Sequence, residues 1–208
     1  MVYPNKLVQT DQGLSLYIPD SLLVQSVYNQ LLNSVPTTAF PYWAKIWPAA
    51  KVMAAFLQNE SNWIANKKVL EIGAGIGLPS FTIANQASSI IISDYSPDAV
   101  ELIQKNITYL KINNASAMCL DWNHFPLHLI AETILLSDIN YDPSEFEVLN
   151  QLIQYLLNQG STLIIATPQR ITATPFVNFL EPYIKRKHIQ EVQHENQLLD
   201  ISIFILYQ

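Results

Sequence analysis

The sequence predicts one α/β domain whose seven-stranded, mostly parallel sheet carries helices on both faces and closes with an antiparallel C-terminal hairpin. Two observations predict it. From residue 67 onward, short apolar runs rich in β-branched residues alternate with segments of helical apolar spacing, as in a parallel sheet with helical crossovers. The first of those runs also ends in a glycine-rich turn, Gly73-Ala74-Gly75-Ile76-Gly77, which hands the chain to a helix.

Taken in order, residues 14–18 alternate like a strand and 20–32 read as a helix. They form an N-terminal extension, residues 1–39, that packs on a core domain of residues 40–208. The segment 40–57 opens with prolines and aromatics and continues as an apolar helix. Strands follow at 68–73, 89–95, 115–121, 133–140 and 161–168. Between them, 78–85, 97–109 and 144–158 carry helical spacing, with Ser96 and Pro97 placed to start one helix and Gly160 to end another. Two last apolar runs, 188–193 and 199–207, flank a short polar connection suited to a hairpin.

The bulk numbers narrow the function. Half of the 208 residues are hydrophobic and 13% are charged, so the chain builds a core of its own. A net charge of -6, with Lys185-Arg186-Lys187 as the one basic run, speaks against binding a phosphate backbone. No stretch reaches membrane-spanning length and no cleavable leader is visible. The lone Cys119 excludes an internal disulfide, and its setting in Ala117-Met118-Cys119-Leu120 reads as a buried strand position. The expectation is a cytoplasmic protein with neither nucleic acid nor membrane as partner.

The glycine-rich turn is the strongest local signal, because its backbone must turn tightly and approach a ligand with no Cβ in the way. A dinucleotide site favours G-x-G-x-x-G, whereas here the glycines fall at 73, 75 and 77. Glu71, just before the turn, would face a phosphate badly and an amino group well. That pattern suits a sulfonium cofactor with an α-amino group and no phosphate. Asp94, at the end of the second core strand and followed by Tyr95, stands where a carboxylate accepts from both ribose hydroxyls. Asp94 is needed by NAD and by S-adenosylmethionine alike, so it marks a nucleoside site without choosing between them.

From residue 40 to 208 these features resemble the class I, seven-strand S-adenosylmethionine methyltransferases with their Rossmann-like fold. Three motifs narrow the resemblance to the branch holding the protein-lysine methyltransferases of Hsp70, valosin-containing protein and electron-transfer flavoprotein. Pro41-Tyr42-Trp43-Ala44-Lys45-Ile46-Trp47-Pro48 resembles that branch's aromatic entry segment, which implies that Trp47 helps enclose the cofactor. Leu120-Asp121-Trp122 is similar to its Leu-Asp-Trp, which implies that Asp121 accepts the adenine amino group and that Trp122 lies against the ring; Asn123 stands where many members have glycine. Asp138-Ile139-Asn140-Tyr141 matches its Asp-x-x-Tyr, at a position bordering the transferable methyl.

The resemblance implies S-adenosyl-L-methionine as cofactor and methyl transfer to a nitrogen, with a protein lysine as the favoured acceptor. The expected reaction is an in-line attack by a neutral nitrogen, for which positioning supplies most of the rate. A lysine amine, with an ordinary pKa of about 10.4, must first lose its proton. Asp138 is expected to orient the incoming ammonium and Tyr141 to offer it a ring face or hydroxyl. A close carboxylate raises an amine's pKa, so orientation suits Asp138 better than the role of general base.

A small amine as acceptor would leave every cofactor residue unchanged. Adenine methylation in nucleic acid goes with an Asn/Asp-Pro-Pro-Tyr/Phe loop, whose prolines are replaced here by Ile139 and Asn140. An NAD-dependent oxidoreductase and a non-catalytic interaction module of the same fold are the alternatives from other classes. His124 and His128, with Pro126 between them, read as loop histidines and not as zinc ligands, and the sequence contains no Gly-x-Ser-x-Gly elbow or Walker motif.

Overall fold

The computed structural model describes residues 3–208. Its main sheet has seven strands in the order β5-β4-β3-β6-β7-β9-β8. Five are parallel: β3 (Lys68–Ile72), β4 (Ser89–Asp94), β5 (Ala115–Cys119), β6 (Thr133–Ser137) and β7 (Thr162–Pro168). The antiparallel pair β8 (Ile184–His194) and β9 (Gln197–Leu206) closes one edge. The helices are α1 (Ser21–Ser34), α2 (Pro48–Asn59), α3 (Leu78–Ile83), α4 (Pro97–Leu110), α5 (Phe146–Asn158) and α6 (Thr174–Leu180).

The central strands alternate their side chains between two cores. Along β3, Val69 joins the cluster under α2, α3 and α4, while Leu70 and Ile72 join the one under α5 and α6. From β3 the chain steps outward to β4 and β5, then returns to the far side of β3 as β6. The C-terminal ends of β3 and β6 therefore diverge at a topological switch point, where open α/β sheets form their ligand crevice. The glycine turn leaves β3 there, and the 138–141 loop leaves β6 beside it.

Before the sheet, β1 (Asn5–Gln9) and β2 (Ser15–Pro19) form a separate antiparallel hairpin. Asn106 of α4, fully buried, ties it to the core: its Oδ1 accepts from the Tyr17 N–H at 2.7 Å and its Nδ2 donates to the Tyr17 carbonyl at 3.0 Å. One side chain thus stands in for a neighbouring strand. Asp20 caps α1 by accepting from the Leu22 N–H.

Several boundaries differ from those expected. The strand expected over 133–140 stops at Ser137, because Asp138 turns into the left-handed region at φ 58°. The helix expected from 144 starts as the 3₁₀ turn Pro143–Glu145. β8 is longer than the expected 188–193 and almost wholly exposed, an edge strand whose lysines and arginine hide its pattern. Cys119 is exposed, not buried, because β5 is the opposite edge strand; its thiol donates to the Tyr95 carbonyl. β1 and α6 were not expected from the sequence. Among the described residues, no helix is long and apolar enough to cross a membrane.

Candidate active site

A cavity of about 260 Å³ lies at the switch point. Its floor is Gly73, Ala74 and Gly75; Asp94 and Tyr95 line one side, Leu120 and Trp122 another, and Ser137, Asp138, Ile139, Tyr141 and Arg170 the far end. The segment from Phe40 to Trp47 covers it.

The glycine turn is shaped by close approach. Gly75 has φ 56°, and a Cβ on it would come within 3.2 Å of the Trp43 carbonyl oxygen. A Cβ on Gly73, at φ 67°, would meet Trp122 and Ile139, both on the cavity wall, at 3.3 and 3.2 Å. Gly77, at φ 82°, lies outside the lining; it precedes α3, with Ile92 and Phe81 against it.

Asp94 is buried at the cavity edge. Its Oδ2 accepts from the Gly75 N–H at 2.8 Å and its Oδ1 from the Ser96 N–H at 2.9 Å, so it locks the turn to the start of α4. Each oxygen keeps a second lone pair for a ligand hydroxyl. Burial raises the Asp94 pKa, against the pull of these backbone hydrogen bonds. Burial raises that of Tyr95 too, with the Asp94 charge adding to it.

Glu71 departs from its expected role. Strand alternation points it at α3, away from the cavity; it is fully buried, with Oε2 accepting from the Ser80 N–H at 3.1 Å and Oε1 lacking a hydrogen-bond partner. Burial pushes its pKa up to about 7, against the hydrogen bonding from Ser80. The carboxyl therefore satisfies an N-terminal amide of α3 inside the core.

Asp121 is likewise outside the lining. It accepts from the Asn123 N–H at 2.9 Å and sits 3.0 Å from His124 Nδ1, a contact that leads the lowering of its pKa. Trp122 lines the cavity, its Nε1 donating to Glu145 Oε2 at 2.7 Å. Trp47 does so as well, its indole N–H held by the Tyr42 carbonyl at 2.8 Å. His124 is exposed, and no group of three metal-ligating side chains occurs among the described residues.

At the far end, Asp138 is almost wholly buried and its Oδ1 accepts from Arg170 Nη1 at 2.6 Å. Asn140, two residues on, accepts from the Thr167 hydroxyl at 2.7 Å and so pins this loop to β7. Tyr141 is half-exposed, its ring 5.5 Å from that of Tyr42. Its pKa is pushed up to about 12, by burial first and then by the charges of Tyr95 and Asp94, so it is a neutral phenol at physiological pH. The sequence reading missed Arg170 and Tyr42. The signal for Arg170 was its place just beyond a parallel strand's C-terminal end, in a chain with one other arginine.

The sheet order and its switch-point cavity are those of the class I methyltransferase fold. The N-methyltransferase NodS from Bradyrhizobium japonicum WM9, solved with S-adenosyl-L-homocysteine, superposes with a TM-score of 0.62 over 86% of this chain and 98% of its own, at 15% identity. The chain belongs to the lysine methyltransferase family, whose model matches residues 39–186. It is 30% identical over 121 residues to the histone-arginine methyltransferase METTL23 of Homo sapiens, covering 55% of this chain and 64% of that protein. It is also 30% identical over 134 residues to the electron transfer flavoprotein beta subunit lysine methyltransferase of Danio rerio, covering 62% and 51%. In both matches the chain spans less than two thirds of the relative's length.

Proposed function

We propose that this protein is an S-adenosylmethionine-dependent methyltransferase acting on a side-chain nitrogen of a protein, with lysine as the favoured acceptor. The observation that carries the reading is a single cavity with a nucleoside-type end and an acceptor-type end. Gly73, Gly75, Asp94 and Trp122 form the first; Asp138, Tyr141 and Arg170 form the second.

The cavity suits that cofactor by its chemistry. Asp94 offers lone pairs to ribose hydroxyls and the Trp122 ring offers a face to a base. When bound, S-adenosylmethionine supplies an electrophilic methyl on a positively charged sulfur. An acceptor nitrogen held at the Asp138 and Tyr141 end would give its lone pair to that methyl, the S–C electron pair would stay on sulfur, and the nitrogen's proton would pass to solvent. Tyr141 and Tyr42, both half-exposed, flank this end, and the Tyr141 hydroxyl, protonated at working pH, serves as a hydrogen-bond partner and not as a base.

A second reading, arginine as acceptor, is favoured by the likeness to the human histone-arginine methyltransferase. The first test is calorimetric titration of S-adenosylmethionine and S-adenosylhomocysteine, with NAD as control and Asp94→Ala as site variant. Binding of both, lost in the variant, is expected; binding of NAD alone, or of nothing, refutes the reading. Labelled methyl transfer into a cell extract, followed by hydrolysis, then distinguishes methyllysine from methylarginine and from small amines.

A further inference from the structure

Arg170 is a charged side chain at the acceptor end of the cavity, beside Asp138, for which the proposed reaction has no use so far. It emerges just beyond β7, with its backbone fixed: its N–H donates to the Pro168 carbonyl at 2.9 Å and its own carbonyl accepts from the Ala173 N–H at 3.0 Å. Parallel pairing of β6 with β7 sets Ser137 opposite Ala166, which brings Asp138 within reach of a residue 32 positions later. Asp138 is held from its own side too, by its left-handed backbone and by a hydrogen bond from its N–H to the Ala166 carbonyl at 2.8 Å. The ion pair joins two fixed backbones at the acceptor end.

The pairing uses one carboxylate oxygen. Nη1 of Arg170 takes Oδ1 of Asp138, and Oδ2 has no hydrogen-bond partner among the described residues. A guanidinium is gripped best when a carboxylate gives it both oxygens, in the two parallel hydrogen bonds of the fork geometry. An amine is a compact point donor that needs one oxygen. With Oδ1 occupied, the site keeps what an amine needs and lacks what a guanidinium needs.

The pair also affects protonation. An isolated buried carboxylate would hold an acceptor amine as ammonium, the unreactive form. A permanently charged guanidinium 2.6 Å away makes the pair neutral and removes most of that effect. Arg170 thereby lets Asp138 orient an amine without trapping its proton.

We propose that Arg170 is a specificity-determining positioning residue that selects an amine over a guanidine acceptor by occupying one oxygen of Asp138. The inference rests on the methyltransferase reading above. It acts through Asp138, so a charge-retaining variant must rescue it.

The test is NMR titration of n-butylammonium and n-butylguanidinium into the protein loaded with S-adenosylhomocysteine, for the wild type, Arg170→Ala and Arg170→Lys. Removing a cation should strengthen binding of both probes; the informative quantity is the ratio of their dissociation constants. Freeing a second charge-assisted hydrogen bond should shift that ratio at least about tenfold toward the guanidinium in Arg170→Ala, and Arg170→Lys should return it to the wild-type value. An unchanged ratio in Arg170→Ala, or failure of that variant to bind n-butylguanidinium, overturns the inference while cofactor binding keeps the methyltransferase reading intact. Failure of the wild type to bind S-adenosylhomocysteine overturns both.

Discussion

Glu71 makes the stability of this protein depend on pH in a direction unusual for a carboxylate. Burial lifts its pKa from 4.5 to about 7. As pH rises between those values, the unfolded chain releases a proton that the folded chain still binds, so stability falls; above about pH 7 both forms are ionised and the decline stops. The difference between the two pKa values corresponds to about 3 kcal/mol. For a chain of this length that is a drop of about 6–12 °C in melting temperature. Glu71→Gln keeps an oxygen for the Ser80 N–H and removes the titration. The assay is urea unfolding of both proteins at several pH values between about 5 and 8, read as the difference in unfolding free energy so that other titrating groups cancel. The variant should gain on the wild type by about 3 kcal/mol across that range. A constant difference would refute the argument that Glu71 enters the fold as a buried acid.

Other perturbations test the site and its support. Gly75→Ala forces a left-handed alanine against the Trp43 carbonyl, costing about 1–2 kcal/mol in backbone strain, and should weaken S-adenosylhomocysteine binding at least about tenfold by calorimetry. Gly13→Ala meets nothing within 4 Å and should show the strain alone, with unchanged binding. Trp122→Phe loses the Nε1 bond to Glu145 and should weaken cofactor binding several-fold; unchanged affinity would remove the indole from the proposed base contact. Asn106→Ala removes both hydrogen bonds to Tyr17 and should cost about 2 kcal/mol, with faster hydrogen exchange at the Tyr17 amide as the local readout.

How much of this was legible depended on whether local pattern or distant partner decided the matter. β3, β4, β6 and β7 are buried on both faces, so their continuous apolar runs announced them, and the glycine spacing announced the turn. Glu71 was misread although the clue was present: two residues before Gly73 and two after Val69, it must share Val69's face, which looks at α2 and α3. Asp121 was assigned by motif, whereas its carboxylate is engaged by Asn123 and His124, residues whose pull on it no spacing rule reports. Arg170 meets Asp138 only because two parallel strands bring together residues 32 apart, and such a pair carries no local signature. The edge strands β5 and β8 lack one neighbour each, so alternation predicts their burial poorly, and Cys119 was misjudged for that reason.

The Asn106 clasp has a consequence for how such a molecule can diversify. The hairpin it secures, together with α1, walls a second cavity of about 570 Å³ that shares Phe40, Tyr42, Lys45, Ile46 and Trp47 with the first. α1 buries none of its residues, and the hairpin pairs with no strand of the main sheet. A wall that adds no strand to the main sheet, held by the Asn106 clasp and by Leu16 in the core, can be recut or lengthened at its exposed side while the glycine turn and Asp94 stay as they are. Changes at the hairpin then reshape the second cavity and leave the strand ends untouched.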